Sequence, residues 1–521
     1  MLNNFEFLKG KKEFESFSSA CIEAEKAIAI SPSNCAMSCR RALELSVKWL
    51  YSFDRDLKLP YQDKLSSLIH APSFRNVVDE ELISLMKYIV KLGNASIHTN
   101  ISISREEAIV SLHNLYQVVA WIDYCYAEEY SATEFYESLV KQGEEKRTDK
   151  DELNNLYNTL ASKDKEIQKI IKENEKLRKT LTNRRVDKEK EYNFNVDKLS
   201  EADTRKIYID LDLKLAGWKL KEDVIPEYPV EGMPNTSGKG SVDYVMIGDN
   251  GKPIALIEAK KTSHSVKKGI HQARLYADCI EKKYNQRPII FLSNGYDIEL
   301  LDDYNDYPSR RVYGYFTKDH IQRMIDRRSN KKSLKSIEIN DDISNRPYQK
   351  LAIHSVCNAF EEKERKALLV MATGTGKTRT AISIVDVLSR HNWIKNVLFL
   401  ADRTALVKQA RNNFSKLLPN LTLYNMLDKN DRKNDNPENC RMIFSTYKTM
   451  MNSIDEAKTK DGSKLFTPGH FDLIIVDESH RSIYKKFKSI FDYFDGFLLG
   501  LTATPREDLD KNTYEVFELE N

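Results

Sequence analysis

The 521-residue sequence has few cysteines and no apolar segment of membrane length. Its seven cysteines are an odd number and no two are spaced as Cys-x-x-Cys, which argues against a disulfide scaffold and a zinc ribbon. The first residues lack the apolar core of a signal peptide, and no run approaches the ~20 apolar residues that cross a bilayer. We therefore expect a cytoplasmic protein with reduced thiols and no membrane contact.

The sequence also lacks a large excess of either charge. Its 81 Lys and Arg residues nearly balance 78 Asp and Glu residues, so the net charge is only +3. Any surface that binds nucleic acid must therefore be a local basic stripe. The length favours three or four domains, and 41% hydrophobic residues are enough for several packed cores.

Residues 1–140 predict an all-helical domain, because their apolar residues recur at helical spacing. Pro32 divides the first helical stretch in two, since proline disrupts a helix interior. Gly93 followed by Asn94 is typical of a helix C-cap. The predicted helices lie within residues 21–51, 80–92 and 105–130.

Residues 141–195 form a charged segment that we predict to be helical. An apolar repeat of seven residues runs through it, with Asn174 at one of the inner positions. Two interpretations remain open: a coiled coil between subunits, or a long helical arm packed on its own protein, which we favour. The repeat comprises Leu153, Leu160, Ile167, Asn174 and Leu181, with Leu156, Lys163, Ile170 and Leu177 three residues on.

The rest of the chain predicts two further domains, 196–335 and 336–521, and hence a multidomain α/β protein. The first has short strand-like runs separated by turn residues. In the second, apolar strands alternate with helices, which predicts a parallel sheet covered on both faces. The predicted strands are 242–247, 254–259 and 288–292 in the first domain, and 367–371, 396–400, 441–445, 473–476 and 497–501 in the second.

A glycine-rich loop follows strand 367–371 and ends in Lys377 and Thr378. Glycines let backbone amides approach phosphate oxygens, and the N-terminus of the following helix adds its positive end. Lys377 would reach the β- and γ-phosphates of ATP, and Thr378 would bind Mg²⁺. Met371 replaces the first glycine of the strict phosphate-loop pattern, a looser form typical of helicase-like proteins. The predicted ATP-binding residues are Thr373, Gly374, Thr375, Gly376, Lys377 and Thr378.

An acidic pair, Asp477 and Glu478, follows a predicted strand about a hundred residues later. Ligands bind at the carboxyl ends of strands in open α/β sheets, so we expect the pair to lie beside the loop. Asp477 would hold Mg²⁺ and contribute to the ATP site, and Glu478 would orient and deprotonate the attacking water. Thr502 and Thr504 follow the next strand, where we expect them to couple ATP hydrolysis to nucleic acid.

This ordered set resembles the motifs in the first RecA-like domain of superfamily 2 helicases. The resemblance implies that Gln349, in an Arg-Pro-Tyr-Gln run, recognises adenine. It also implies that Arg403, Thr404 and Thr446 hold the nucleic-acid backbone. A serine follows Glu478 where the common acidic motif has alanine, which we interpret as a tolerated variant.

A second constellation lies in the hairpin predicted at residues 242–259. A turn at 249–253 joins its strands and would place Asp243 opposite Glu258. Alternation puts Glu258 and Lys260 on one face. Two carboxylates can hold Mg²⁺, which activates water, while the ammonium stabilises charge on a phosphate. The alternative interpretation is an ordinary hairpin with exposed charged residues.

Gln272 and Tyr276 follow this hairpin, four residues apart and therefore on one face of a helix. Together with Asp243, Glu258 and Lys260 they resemble the PD-(D/E)xK nucleases of the branch that carries a Gln-x-x-x-Tyr element. A valine takes the place of the proline that usually precedes the aspartate. The resemblance implies a Mg²⁺-dependent endonuclease with these five residues at its catalytic site.

A nuclease followed by a helicase-type ATPase resembles the motor and restriction (R) subunit of type I restriction enzymes. The resemblance implies ATP-driven translocation on double-stranded DNA and Mg²⁺-dependent cleavage of unmodified DNA. It also implies partnership with modification (methyltransferase) and specificity subunits. Two alternatives remain: another nuclease–helicase of DNA repair or phage defence, or a non-motor fragment that binds only DNA or partners.

The sequence ends at Asn521, shortly after Thr504. Members of the family that this sequence resembles continue into a second RecA-like domain that carries arginine fingers. We therefore expect that second domain to be absent here. The chain alone should then be a poor ATPase, because an arginine finger contributes about 10³–10⁵-fold to phosphoryl transfer.

Overall fold

The computed structural model of the chain divides it into two compact units. The first is Met1–Leu211 with Lys460–Gly462, and the second is Asp212–Thr459 with Ser463–Asn521. Of the helices that the structure describes, none is long and apolar enough to cross a membrane. The described residues are 3–60, 64–97, 101–141, 175–190, 192, 194–196, 201–259, 269–305, 307–428, 431, 437–459, 461–477 and 481–503.

The described part of the first unit is helical. Its helices are α1 (Glu15–Ala27), α2 (Pro32–Phe53), α3 (Leu65–Ile69), α4 (Pro72–Arg75), α5 (Glu80–Ala95), α6 (Arg105–Tyr126), α7 (Glu137–Lys141) and α8 (Glu175–Lys190), with 3₁₀ turns at Glu6–Leu8 and Lys12–Phe14. Pro32 begins α2, where a missing backbone N–H leaves no hydrogen bond unmade. The Ser31 hydroxyl caps this helix by accepting from the Asn34 N–H at 3.1 Å.

Gly93 does not end a helix, so the predicted C-cap is wrong. Helix α5 continues to Ala95, and Ser96 follows it as the C-cap. A Cβ atom on Gly93 would lie 2.4 Å from the Cβ of Arg40 and 3.1 Å from the carbonyl oxygen of Ala36. The glycine therefore allows α5 to approach α2 closely, a requirement that the sequence alone does not distinguish from a cap.

Helix α8 packs on α2 and α6 of its own unit. The buried Arg185 donates from Nε to Oδ2 of Asp54 at 2.6 Å, and the Tyr126 hydroxyl donates to the same oxygen at 2.7 Å. Leu181 is buried as well. This part of the charged segment is therefore an arm on its own protein, whereas heptad positions 153–174 lie outside the described residues.

The second unit begins within α9 (Glu201–Leu215) and contains two sheets. The strands of the first sheet are β1 (Val224–Glu231), β2 (Lys239–Ile247), β3 (Pro253–Ala259), β4 (Ile289–Ser293), β5 (Ile298–Leu301) and β6 (Arg310–Val312), paired in that order. Strands β3 and β4 are parallel and are connected through α10 (Ile270–Tyr284), and the other neighbours are antiparallel. The three strands predicted here are confirmed to within a few residues.

The second sheet has six strands, all parallel, in the order β7-β12-β11-β8-β10-β9. They are β7 (Lys366–Val370), β8 (Val397–Ala401), β9 (Leu423–Asn425), β10 (Met442–Thr446), β11 (Leu473–Asp477) and β12 (Phe497–Thr502). Helix α11 (Lys318–Asn330) precedes this region and contacts β3 of the first sheet. The helices of this region are α12 (Pro347–Glu361), α13 (Lys377–Arg390), α14 (Thr404–Leu417), α15 (Tyr447–Glu456) and α16 (Arg481–Tyr493). Separate apolar clusters cover the two faces of the sheet, so the predicted parallel sheet is confirmed.

The two sheets meet within the second unit, between α11 and the segment that leads into β11. A Cβ atom on Gly469 would lie 2.7 Å from Cγ of Phe316 and 3.0 Å from Cδ2 of His320. Arg327 of α11 makes a bidentate ion pair with Asp472, with nitrogen–oxygen distances of 2.7 and 2.9 Å. The contact between the sheets is thus close and charged, and we call it the junction.

Three titratable groups at the junction have strongly shifted pKa values. Burial lowers the pKa of His320 to about 3 and that of His470 to about 4, so both rings are neutral. Burial alone would raise the pKa of Asp472, but the hydrogen bonds and charge of Arg327 hold it well below its usual range. The junction is therefore built for neutral imidazoles and an ionised carboxylate.

We expect Gly93→Ala to destabilise the first unit by roughly 1–3 kcal/mol. The new methyl group would overlap the base of the Arg40 side chain, which cannot swing away, and overpacking costs this much. The gain in helix propensity, about 1 kcal/mol, offsets only part of that cost. Thermal unfolding followed by circular dichroism measures the effect, with Ser84→Ala on the same helix as the control. An unchanged or raised melting temperature for Gly93→Ala would contradict the close approach.

We expect the second unit to lose stability as the pH falls from about 6.5 towards 4. Because the folded pKa values of His320 and His470 lie below the unfolded value of about 6.5, their contribution is complete above that pH and is lost below it. Each histidine contributes a slope of about 1.4 kcal/mol per pH unit. Urea unfolding at several pH values should show a shallower slope for His320→Gln and His470→Gln. Identical slopes in parent and variants would rule out this origin.

Candidate active sites

Five loops of the second sheet meet at one edge. Because all six strands are parallel, their carboxyl ends lie on the same side of the sheet. We call this side the ATP edge. The predicted residues at or just after these ends are the 373–378 loop after β7, Arg403 and Thr404 after β8, Thr446 on β10, Asp477 on β11 and Thr502 on β12.

The glycine-rich loop has the conformation that its sequence requires. Gly374 and Gly376 have φ values of +80° and +95°, a region in which side chains with a Cβ are strained. Gly376 is the N-cap of α13, so Lys377 and Thr378 open the first turn of that helix. The loop starts beside the neighbouring strand, where the Met371 N–H donates to the Thr502 carbonyl at 2.9 Å. Its amides and helix N-terminus fit a phosphate.

Gln349 contacts the loop itself. Its buried amide nitrogen donates to the Thr375 carbonyl at 2.9 Å. A Cβ atom on Gly376 would lie 2.4 Å from that nitrogen at the end of the Gln349 side chain, which would have to shift, and the φ of +95° independently favours glycine. The neighbouring Tyr348 hydroxyl also donates to the Thr375 carbonyl, at 2.9 Å, a role the sequence analysis missed although the residue adjoins Gln349. The adenine-reading role of Gln349 stays a prediction.

Asp477 lies at the end of β11, opposite Leu501 of β12. Its backbone carbonyl accepts from the Tyr447 hydroxyl at 3.3 Å, which ties the start of α15 to the acidic strand. Thr502 is buried next to it in the sheet order. Glu478, Thr504 and the hairpin's Lys260 lie outside the described residues, so their roles stay predictions.

The three residues predicted to hold nucleic acid differ in their surroundings. Arg403 and Thr404 are exposed at the start of α14, where they are accessible to a ligand at the ATP edge. Thr446 is instead the N-cap of α15, and its hydroxyl accepts from the Thr449 N–H at 3.4 Å. The capping role was not expected from the sequence and accounts for the threonine without a ligand.

The hairpin places Asp243 beside Glu258, in the predicted register. The β2–β3 ladder ends with the pair Tyr244 and Ile257, so Asp243 and Glu258 are the next residues on the two strands. Beyond the ladder, the Ala259 N–H donates to Oδ2 of Asp243 at 2.6 Å. Glu258 is only 3% exposed and lies on β3, which is buried along its whole length.

These two carboxylates fit a divalent cation. A Mg²⁺ site in proteins commonly uses one or two carboxylates and completes its shell with water or phosphate oxygens. No group of three or more potential metal-binding side chains occurs among the residues that the structure describes. The role of Asp243 and Glu258 as Mg²⁺ ligands therefore stays a prediction.

Gln272 and Tyr276 lie together on α10, as their spacing predicts. The Gln272 amide nitrogen donates to the Tyr276 hydroxyl at 2.7 Å. The buried Tyr276 ring packs over Gly240 of β2, where a Cβ atom would lie 2.8 Å from the ring. Glu258 shares its face of β3 with Leu256, which packs in the same cluster as Tyr276. The helix pair and the buried carboxylate thus lie on one side of the first sheet.

We expect Gly376→Ala to weaken nucleotide binding. The substitution forces a Cβ into the left-handed region and against the Gln349 amide, which displaces the loop from the phosphate. Titration calorimetry with Mg-ADP should show at least a tenfold loss of affinity, equivalent to about 1.4 kcal/mol. Gly251→Ala, at φ +74° in the β2–β3 turn with no neighbour within 4 Å, controls for glycine strain elsewhere. Equal affinities for Gly376→Ala and the parent would contradict the phosphate-loop assignment.

Comparison with protein families gives matches along most of the chain. The family model for the N terminus of the type I restriction enzyme R protein matches residues 122–309, which include Asp243 and Glu258. The model for the res subunit of type III restriction enzymes matches residues 342–507, which include Lys377 and Asp477. A domain of unknown function matches residues 22–169.

Two of the curated relatives are restriction enzyme subunits from Escherichia coli. The chain is 29% identical over 356 residues to the EcoAI type I endonuclease subunit, covering 62% of this chain and 41% of that protein. It is 22% identical over 634 residues to the EcoKI type I endonuclease subunit, covering 96% of this chain and 53% of that protein. The chain therefore spans about half the length of these relatives.

A solved HsdR fragment of a type I restriction enzyme from Vibrio vulnificus YJ016 is 25% identical and covers 61% of this chain and 58% of its own. Its TM-score of 0.25 is too low to support a shared arrangement. The sequence matches carry the relationship instead, because two restriction-enzyme models cover successive parts of the chain. The chain is similar to the endonuclease subunits of type I restriction enzymes, and it has a region like the N terminus of their R protein followed by a helicase-type domain.

Proposed function

We propose that this chain provides the nuclease and the first ATPase domain of a type I restriction motor. The observation that carries the proposal is the meeting of the described phosphate-loop, acidic and threonine residues at the ATP edge. The same compact unit holds the hairpin with its adjacent carboxylates. ATP-driven translocation on double-stranded DNA would then precede cleavage of unmodified DNA.

At the ATP edge, each residue has a distinct task. The loop amides and the first turn of α13 cradle the phosphates, and Lys377 neutralises charge on the β- and γ-phosphoryl oxygens. Thr378 and Asp477 would hold Mg²⁺, and Glu478 would orient and deprotonate the attacking water. Gln349 and Tyr348 support the loop from α12 through the Thr375 carbonyl. Thr502, joined to the loop through Met371, would relay the state of the site to bound DNA.

At the hairpin, Asp243 and Glu258 would hold Mg²⁺, which when bound activates water and stabilises the leaving oxygen. Ala259 fixes the Asp243 carboxylate through its N–H, so the ligand is oriented before any ion enters. Lys260, one alternation beyond Glu258, would stabilise charge on the scissile phosphate. The Gln272–Tyr276 pair would orient DNA or the buried carboxylate from α10.

The partners follow from the same proposal. Double-stranded DNA would contact the exposed Arg403 and Thr404 at the ATP edge, with Thr446 close to the backbone path. Modification and specificity subunits would supply the recognition of unmodified target sites. ATP is the fuel and Mg²⁺ the ion at both sites.

We expect Asp243→Asn and Lys377→Ala to separate the two activities. In the full subunit assembled with modification and specificity subunits, Asp243→Asn should cut DNA roughly 100-fold more slowly or worse, because a metal contributes several kcal/mol. Its ATP hydrolysis should stay within about twofold, since the two sites use different sheets. Lys377→Ala should lose ATP hydrolysis and, with it, cleavage of circular DNA that has a distant target site.

Asp249→Asn is the matched control for the hairpin, since this carboxylate is exposed in the same β2–β3 turn. It should cut at the parental rate. Loss of ATP hydrolysis in folded Asp243→Asn, or full cleavage by Lys377→Ala, would contradict the proposed division of labour. Cleavage that ignores DNA methylation would favour a repair nuclease instead.

A further inference from the structure

The strands that carry the ATP-site residues are held by charged side chains at their opposite ends. Asp472 immediately precedes β11, whose last residue is Asp477. Asp495 lies two residues before β12, whose last residue is Thr502. Arg365 immediately precedes β7, which leads into the phosphate loop. These three residues mark the amino ends of β7, β12 and β11, which are consecutive strands from one edge of the second sheet.

Asp472 joins β11 to α11 of the nuclease region. Both of its oxygens accept from Arg327, at 2.7 and 2.9 Å. Oδ2 also accepts from the backbone N–H groups of Lys395 and Asn396, at 2.7 and 2.9 Å. A buried carboxylate with four donors is fixed in position, so α11 and the start of β11 are fixed to each other.

Asp495 joins β6 to both β12 and β7. Arg310 of β6 donates from Nε and Nη2 to its two oxygens, each at 2.7 Å. Arg365 donates from Nη2 to Oδ1 at 3.0 Å. The Arg365 carbonyl in turn accepts from the Leu498 N–H of β12 at 2.9 Å. One carboxylate therefore connects the edge strand of the nuclease sheet to two strands of the ATPase sheet.

The residues of both ion pairs line a half-open cavity of about 100 Å³. Its walls come from both regions: Tyr307 and Met324 from the nuclease side, Trp393 and Phe497 from the ATPase side. The two regions are therefore incompletely packed at this cavity, and the ion pairs connect them beside it.

We propose that Arg310 and Arg327 are positioning residues that couple the nucleotide state of the ATP edge to the nuclease region. The inference rests on the proposed ATP site and adds a route from that site to the nuclease region. Strands β7, β11 and β12 are short and hydrogen-bonded on their sheet, so each moves as a rigid strut of roughly 16–20 Å at about 3.3 Å per residue. A displacement of the loop, Asp477 or Thr502 on nucleotide binding is transmitted to Arg365, Asp472 and Asp495. The arginines pass it to β6 and α11.

The geometry favours this role over general stabilisation. A buried ion pair contributes little net stability compared with apolar packing, but it fixes direction when it is bidentate. A comparable pair, Arg287 with Asp303, has distances of 2.7 and 2.6 Å and lies wholly within the nuclease region. It provides an internal control of similar burial that does not cross the junction.

Hydrogen–deuterium exchange on the intact 521-residue chain tests the coupling. Calorimetry first measures binding of Mg-ADP and of a non-hydrolysable Mg-ATP analogue to the parent and to Lys377→Ala. Exchange of amides in β6 and α11 is then compared with and without nucleotide, each protein against its own free state. In the parent and in Arg287→Met, nucleotide should slow this exchange at least fivefold, within the range typical of coupled sites.

In Arg310→Met and Arg327→Met the nucleotide-dependent change should fall below twofold. Arg327→Lys keeps the positive charge but loses the paired hydrogen bonds of the guanidinium group, so it should give an intermediate response. A role of Arg327 in folding alone would not produce an intermediate response. Arg327→Lys also serves if Arg327→Met fails to fold.

Nucleotide binding without any change at β6 and α11, or an equal loss of the response in Arg287→Met, overturns the coupling and leaves the ATP site standing. Parental binding that is absent, or that persists unchanged in Lys377→Ala, overturns the ATP site, and the coupling falls with it.

Discussion

The parallel alignment of β7 to β12 is the constraint on which the candidate ATP site depends. Residues that are up to 130 positions apart in the sequence reach one edge only because every strand runs in the same direction. Antiparallel insertion of any one strand would send its loop to the opposite edge. The helices that connect the strands make this arrangement possible and cover both faces of the sheet.

Much of this arrangement was predictable from sequence because its signals are local and redundant. Five apolar runs in the ATPase region became strands within a residue or so of their predicted bounds, and the turn around Gly251 set the register of Asp243 against Glu258. Strand alternation and turn chemistry act over a few residues, so a single sequence contains them. The catalytic assignments themselves stay predictions, Lys260 and Glu478 among them.

What sequence could not supply are contacts whose partners are distant along the chain. Gly93 has the composition of a cap, but its role depends on Arg40 of another helix. Asp472 and Asp495 belong to no motif, and nothing in the neighbouring sequence distinguishes them from the other 76 of the 78 acidic residues. Only the packing of the two sheets shows that Asp472 is buried, that Asp495 is largely covered, and that both pair with arginines of the nuclease region.

The junction also limits how this architecture can be recombined. A chimera joined near residue 335 would exchange the nuclease region but separate Arg310 and Arg327 from the aspartates that receive them. Asp472 would remain buried without its counterion, at a cost of several kcal/mol, and Asp495 would keep Arg365 but lose Arg310. The two regions follow one another in the sequence, but a chimera that exchanges the nuclease region must also exchange the starts of β11 and β12. Such a chimera would need matched arginine and aspartate residues on both sides of the junction.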